Sequence, residues 1–151
     1  MLGHETIANL SHKKPEEVLV LGSHRVLVVE PTQTEKRILV QSADEGREMG
    51  SIEANGGRER IILFGRPSSI PTTLFKIGIK ELKPPSGAII NISHSHWETD
   101  QDIRPSGDDL SYAQQLQESH PYLSLHFRVV CGNRDKPLAF QYFPVLPSGE
   151  E

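Results

Sequence analysis

Apolar residues fall in short, β-branched runs separated by breaks rich in glycine, proline and asparagine. Val18-Leu19-Val20-Leu21 and Arg25-Val26-Leu27-Val28-Val29 flank Gly22-Ser23-His24, which predicts a hairpin with His24 at its tip, exposed and inert. Pro31-Thr32 then reads as a helix start, with Pro near the first position. The helix continues from Glu35 to Glu45, with Ile38, Leu39 and either Ser42 or Ala43 on one side, and Gly46 is its stop. Two runs around Asn55-Gly56-Gly57 predict a second hairpin. Leu74-Phe75-Lys76-Ile77-Gly78-Ile79 fits a strand or a short helix equally well.

Ala88-Ile89-Ile90-Asn91-Ile92, bounded by Pro84-Pro85-Ser86-Gly87, predicts a buried strand. Leu110, Ala113 and Leu116 recur at helical spacing over Asp108 to Glu118, and His120-Pro121 ends that helix. Leu123 to Val130 and Leu138 to Val145, joined at Gly132-Asn133-Arg134-Asp135, predict a third hairpin at the C-terminal edge. The order of elements implies an α/β fold, a mixed sheet with helices flanking it. Residues 1–16, which include His4 and His12, read as an arm, 17–146 as one domain and 147–151 as a frayed tail.

The candidate chemistry lies after the central strand. If that strand runs on through His94-Ser95-His96, its pleat puts both imidazoles on one face. Two such histidines are half of a metal site. Asp109, in the first turn of the following helix, can add a carboxylate. Two His and one carboxylate leave a fourth tetrahedral position open, the pattern of a catalytic zinc and not of a closed structural one. Each part has a plainer reading. Two histidines on a strand are often only solvated, and Ser106-Gly107-Asp108-Asp109 is also a capping box with acids at the positive end of a helix dipole.

His-x-His, a loop, then Ser-x-x-Asp resembles the signature of the JAMM (JAB/MPN-domain) metallopeptidases. The matching residues are His94, His96, Ser106 and Asp109. The resemblance implies a curved sheet of the cytidine-deaminase-like type, with zinc on His94, His96 and Asp109. It also implies a serine, Ser106, donating to the developing oxyanion, and an upstream glutamate as general base. Glu48, with Gly50 close behind, fits the place of that glutamate best; Glu45 and Glu53 compete. The residue after the second histidine is usually Pro in the family and is Trp97 here, and the loop from Trp97 to Pro105 is longer than the common spacing. Trp97 reads either as a wall of the substrate groove or as a plug at the edge of the core. The acidic loop Glu98-Thr99-Asp100-Gln101-Asp102 selects basic substrates or is simply solvated.

The implied activity is hydrolysis of a peptide or isopeptide bond by zinc-activated water, with Glu48 taking the proton and passing it to the leaving amine. The family allows a ubiquitin-like modifier, the tail of a sulfur-carrier protein or a host protein as substrate. The alternatives are a non-catalytic JAMM/MPN-like scaffold that binds a partner, and metal-dependent hydrolysis of some other bond.

Composition narrows the rest. A net charge of −4 and a pI near 6.0 give no reason to expect nucleic acid or an anionic membrane as partner. No stretch approaches the ~18 apolar residues of a membrane span, and Met1-Leu2-Gly3-His4-Glu5 does not open a signal peptide, so a cytoplasmic site is expected, with export by another route left open. Cys131, the single cysteine, sits in an apolar run and reads as a buried thiol, the alternative being a catalytic one. His120 and His126 read as structural.

Overall fold

Among the described residues the chain runs β1 (Val18–Leu21), β2 (His24–Val29), α1 (Gln33–Glu45), β3 (Met49–Ala54), a 3-10 turn (Asn55–Gly57), β4 (Glu59–Phe64), α2 (Thr72–Leu82), β5 (Ile89–Ser95), α3 (Gly107–Ser119), β6 (Ser124–Gly132) and β7 (Pro137–Pro144). The structure, a computed structural model, describes residues 18–21, 24–67, 69–97, 107–132 and 135–144; side chains are described for all of these except 18–21, 24–25, 107–110 and 143–144. The strands form one mixed sheet in the order β1-β2-β7-β6-β5-β3-β4. Every neighbouring pair is antiparallel except β5 and β6, which are parallel and joined through α3, since parallel strands need a crossover.

Strand alternation assigns the two faces. Ile52, Ile90, Ile92, Leu125, Phe127, Val129 and Phe140 point to one face, where they pack with Phe75 and Ile79 of α2 and Ala113 and Leu116 of α3. Met49 and Val130 point to the other, against Ile38 and Leu39 of α1. The described helices thus lie one on one face and two on the other. Ile38 and Leu39 are 1% and 2% exposed, and burying side chains of this size stabilises by ~1.5–3 kcal/mol each.

Helix α1 starts and stops on its own sequence. The Thr32 hydroxyl accepts from Glu35 N–H, the Glu35 carboxylate accepts from Thr32 N–H, and Gly46 closes the helix in the left-handed region. Thr32 is therefore the cap and Pro31 lies outside the helix, not near its first position: the threonine hydroxyl can satisfy a first-turn amide and proline cannot. Ser42, not Ala43, is buried on the inner side. The undecided stretch around Leu74 to Ile79 is helix. Gly78 allows α2 to press onto the sheet, because a Cβ there would lie 2.4 Å from Ile52 Cδ1. At the 3-10 turn, Asn55, Gly56 and Gly57 all take positive φ, which their small or amide side chains tolerate.

The α1 face also holds a buried polar layer. Glu35, fully buried, receives Arg128 Nε at 2.6 Å and Arg128 Nη2 at 2.8 Å, together with the Ser93 hydroxyl at 2.5 Å. Arg128 Nη2 also donates to Glu30 O at 2.8 Å. The Thr32 hydroxyl donates to Glu53 Oε2 at 2.7 Å. Glu35 and Arg128 are paired with each other and hydrogen-bonded, the condition for tolerating charges away from water.

Two expectations need correcting. The β6–β7 hairpin is not at an edge: β7 sits between β6 and β2, and the edges are β1 and β4. The whole of β2 pairs along the free side of β7, from His24↔Pro144 to Val29↔Ala139, and so covers the edge that the hairpin alone would leave open. His24 is not at the tip of a turn but in β2, level with Leu21. Among the described residues no helix is long and apolar enough to cross a membrane. The expected arm, residues 1–16, and the tail lie outside the described residues.

Candidate metal centre

Strand β5 runs between antiparallel β3 and parallel β6, so its carboxyl end meets the start of β3 and the end of β6. The carboxyl ends of strands in open α/β sheets are where ligands commonly sit. The pleat sends Ser93 and Ser95 toward α1 and His94 and His96 toward the α2–α3 face. His96 follows the last strand residue, but its N–H still donates to Val130 O at 2.8 Å, so the ladder holds it in line.

The two imidazoles converge. His94 Nε2 and His96 Nε2 lie 3.2 Å apart, with ring centroids 5.0 Å apart and ring planes at 59°. His94 is half-buried and His96 is 7% exposed. With zinc–nitrogen bonds of ~2.0–2.1 Å, two nitrogens on one tetrahedral ion would be about 3.3–3.4 Å apart. The observed 3.2 Å is a hydrogen bond between the two rings, and it is also close to the spacing that two nitrogens on one such ion would have.

Glu48 lies one residue before β3. The β3–β5 register ends at Gly50↔His94, so Glu48 lies two residues before the partner of His94. Glu48 is 9% exposed. Its backbone is clamped, since Gly65 N–H donates to Glu48 O at 2.9 Å and Glu48 N–H donates to Arg66 O at 2.8 Å. These bonds carry the β3–β4 pairing just past the ends of both strands. Gly50 lies opposite His94. A Cβ there would come within 3.0 Å of Ser93 O and 3.1 Å of Ile70 Cδ1, so the glycine lets Ile70 and Phe75 close over the sheet beside the histidines.

The competing acids are elsewhere. Glu45 is exposed at the end of α1, where hydrogen bonds from Gln41 and Arg47 hold its carboxyl below the ordinary carboxylate value. Glu53 is buried on the α1 face, bonded to Thr32. Trp97 is half-buried, and its Nε1 donates to Pro67 O at 3.2 Å, tying the chain after His96 to the loop after β4. Asp109 lies in the first turn of α3; its side chain, and the whole of Ser106 and of the acidic loop from Glu98 to Asp102, lie outside the described residues. Among the described residues no three His, Cys, Asp or Glu side chains form a metal-holding group.

Cys131 is fully buried, and burial pushes its thiol far above the ordinary range. That argues against a nucleophile. His126 is half-buried, and its pKa is lowered first by burial and then by Arg128. His120 Nδ1 pairs with Leu116 O at 2.8 Å at the end of α3. What the sequence reading missed is the set of hydroxyls and charges behind the histidines: Ser42, Ser93, Ser95, Glu35 and Arg128. The only available signal was Ser93 and Ser95 alternating with the two histidines.

No family model, curated protein or solved structure matches the chain.

Proposed function

We propose that the protein is a zinc metallopeptidase of the JAMM type that hydrolyses a peptide or isopeptide bond, with the JAB/MPN version of the α/β fold. The convergence of His94 and His96 Nε2 at the carboxyl end of β5 carries this reading. The position of Glu48, two residues before the Gly50 that pairs with His94, supports it, as does a helix following the histidine strand with Asp109 in its first turn.

In this reading His94, His96 and Asp109 hold the ion. Zinc so held would supply Lewis acidity that lowers the pKa of water toward about 7. Glu48 accepts the proton from the attacking water and returns it to the leaving amine. Ser106, just before α3, donates to the oxygen that gains charge. Trp97 and the loop it is tied to would flank an extended protein segment bound beside the histidines. The substrate is a protein or peptide, a ubiquitin-like modifier and a host protein being two forms it can take.

The test is metal analysis followed by an assay. Purified protein reconstituted with zinc should retain about one equivalent through gel filtration, and should cleave a quenched-fluorescent peptide library in a chelator-sensitive way. Retained zinc without cleavage of any peptide or ubiquitin-like fusion would favour a binding scaffold. No retained zinc would overturn the reading.

A further inference from the structure

We propose that the hydroxyl pair of Ser42 and Ser95 is a positioning device for the two histidine ligands, an inference that rests on the zinc reading above. Ser95 stands between His94 and His96 in sequence and on the opposite side of β5. Its Oγ lies 2.6 Å from Ser42 Oγ of α1 and accepts from Met49 N–H at 3.0 Å. All three residues are 0% exposed. The backbone ladder between β3 and β5 ends at Gly50↔His94, and the Ser95 hydroxyl takes the next amide in place of a carbonyl. Met49 N–H, deeply buried, has no water to turn to.

The same junction reaches the other side of Glu48. The Ser42 carbonyl accepts from Gly46 N–H at 2.7 Å and from Arg47 N–H at 3.2 Å. The amides on both sides of Glu48 therefore end on Ser42 or Ser95. One pair of hydroxyls joins the last turn of α1, the entry to β3 and the ligand-bearing end of β5. Pinning Ser95 from behind fixes the backbone from which both imidazoles project. Outer partners of metal ligands usually bond to the imidazole itself; here the hold is on the strand between two ligands.

The pair therefore couples zinc binding to the Met49 amide. In wild-type protein, zinc should slow hydrogen exchange at Met49 by at least about tenfold, with a smaller effect at Ile52 in the same strand. Ser42→Ala should weaken zinc binding by about tenfold, the low end for outer-shell partners, and cancel the slowing at Met49. Ser42→Thr, which keeps a hydroxyl, should restore both. Thr32→Ala, at the other end of α1, should lower the stability of the metal-free protein without changing zinc affinity.

Wild-type zinc affinity in Ser42→Ala would overturn the proposal and leave the zinc reading standing. If Ser42→Ala does not fold, the wild-type comparison decides: zinc slowing Met49 no more than Ile52 overturns it. Wild-type protein that retains no zinc removes the reading and this proposal together.

Discussion

Arg128 and Glu35 lie 93 residues apart in sequence and meet at two points in the interior, Nε to Oε2 at 2.6 Å and Nη2 to Oε1 at 2.8 Å. The pair bolts α1 to β6, and the Ser93 hydroxyl on Glu35 brings in β5. Removing one member leaves a buried charge without its partner, which costs ~3–5 kcal/mol. Arg128→Ala should therefore lower the urea midpoint steeply, whereas Glu35→Leu combined with Arg128→Met should recover most of the loss. An Arg128→Ala protein within 1 kcal/mol of wild type, an interval well below that ~3–5 kcal/mol range, would mean the pair is not holding the layers together.

Glu48→Gln keeps the shape of the side chain and removes its basicity. Zinc content should stay at the wild-type value. Cleavage of the peptide probe should fall by at least ~10²-fold, the lower end for loss of a general base. Undiminished turnover would reject Glu48 as the base.

His94→Ala and His96→Ala each take away one of two nitrogens that converge to 3.2 Å. Either change should abolish stoichiometric zinc binding in a calorimetric titration while the far-ultraviolet dichroism stays that of the folded chain. His120→Ala, whose ring bonds to Leu116 O at the end of α3, should leave zinc binding unchanged.

The Cys131 thiol is raised by burial, so the folded protein keeps it neutral. The sign follows. A raised acid contributes nothing adverse below the unfolded thiol value, and stability falls as pH climbs past it, because only the unfolded chain ionises there. Ellman's reagent should not react with native protein at pH 8 and should react once it is unfolded. Cys131→Ala should retain the zinc-dependent activity.

His126 is shifted the other way, downward, first by burial and then by Arg128. Its contribution to stability is present above the unfolded histidine value of ~6.5 and is lost as pH falls through the lowered folded value. His126→Gln should flatten the acid side of the stability–pH curve below about pH 6.5 and leave its neutral part in place. Parallel curves for the two proteins down to the acid transition would remove His126 from the account.

Some of this was legible because the signal is local. Thr32-Gln33-Thr34-Glu35 and Gly46 mark the ends of α1 by hydrogen bonds that close within three or four residues. Asn55-Gly56-Gly57 announces a turn because few other residues accept positive φ in succession. The shared face of His94 and His96 follows from a period of two. What stayed hidden depends on distant residues. Strand order could not be read, because β7 pairs with β2 from the far end of the chain. Leu74 to Ile79 was ambiguous because its apolar residues satisfy both periods, and Gly78, explained only by Ile52 beneath it, offered no local clue. Glu35 reads as an ordinary first-turn acid until Arg128 is seen against it. Three acids competed upstream of the histidines, and only the sheet register separates Glu48 from Glu53.

The late arrival of β7 has a consequence for how the chain assembles. Strands β3 to β6, with α1 and α2, contain the histidine pair and Glu48, and all of them leave the ribosome before β7 does. The β1–β2 hairpin precedes them in sequence but, among the described residues, joins the sheet through β7. The edge of β2 that pairs with β7 has no partner until β7 is made. Synthesis of β7 thus locks β1 and β2 onto the rest of the sheet.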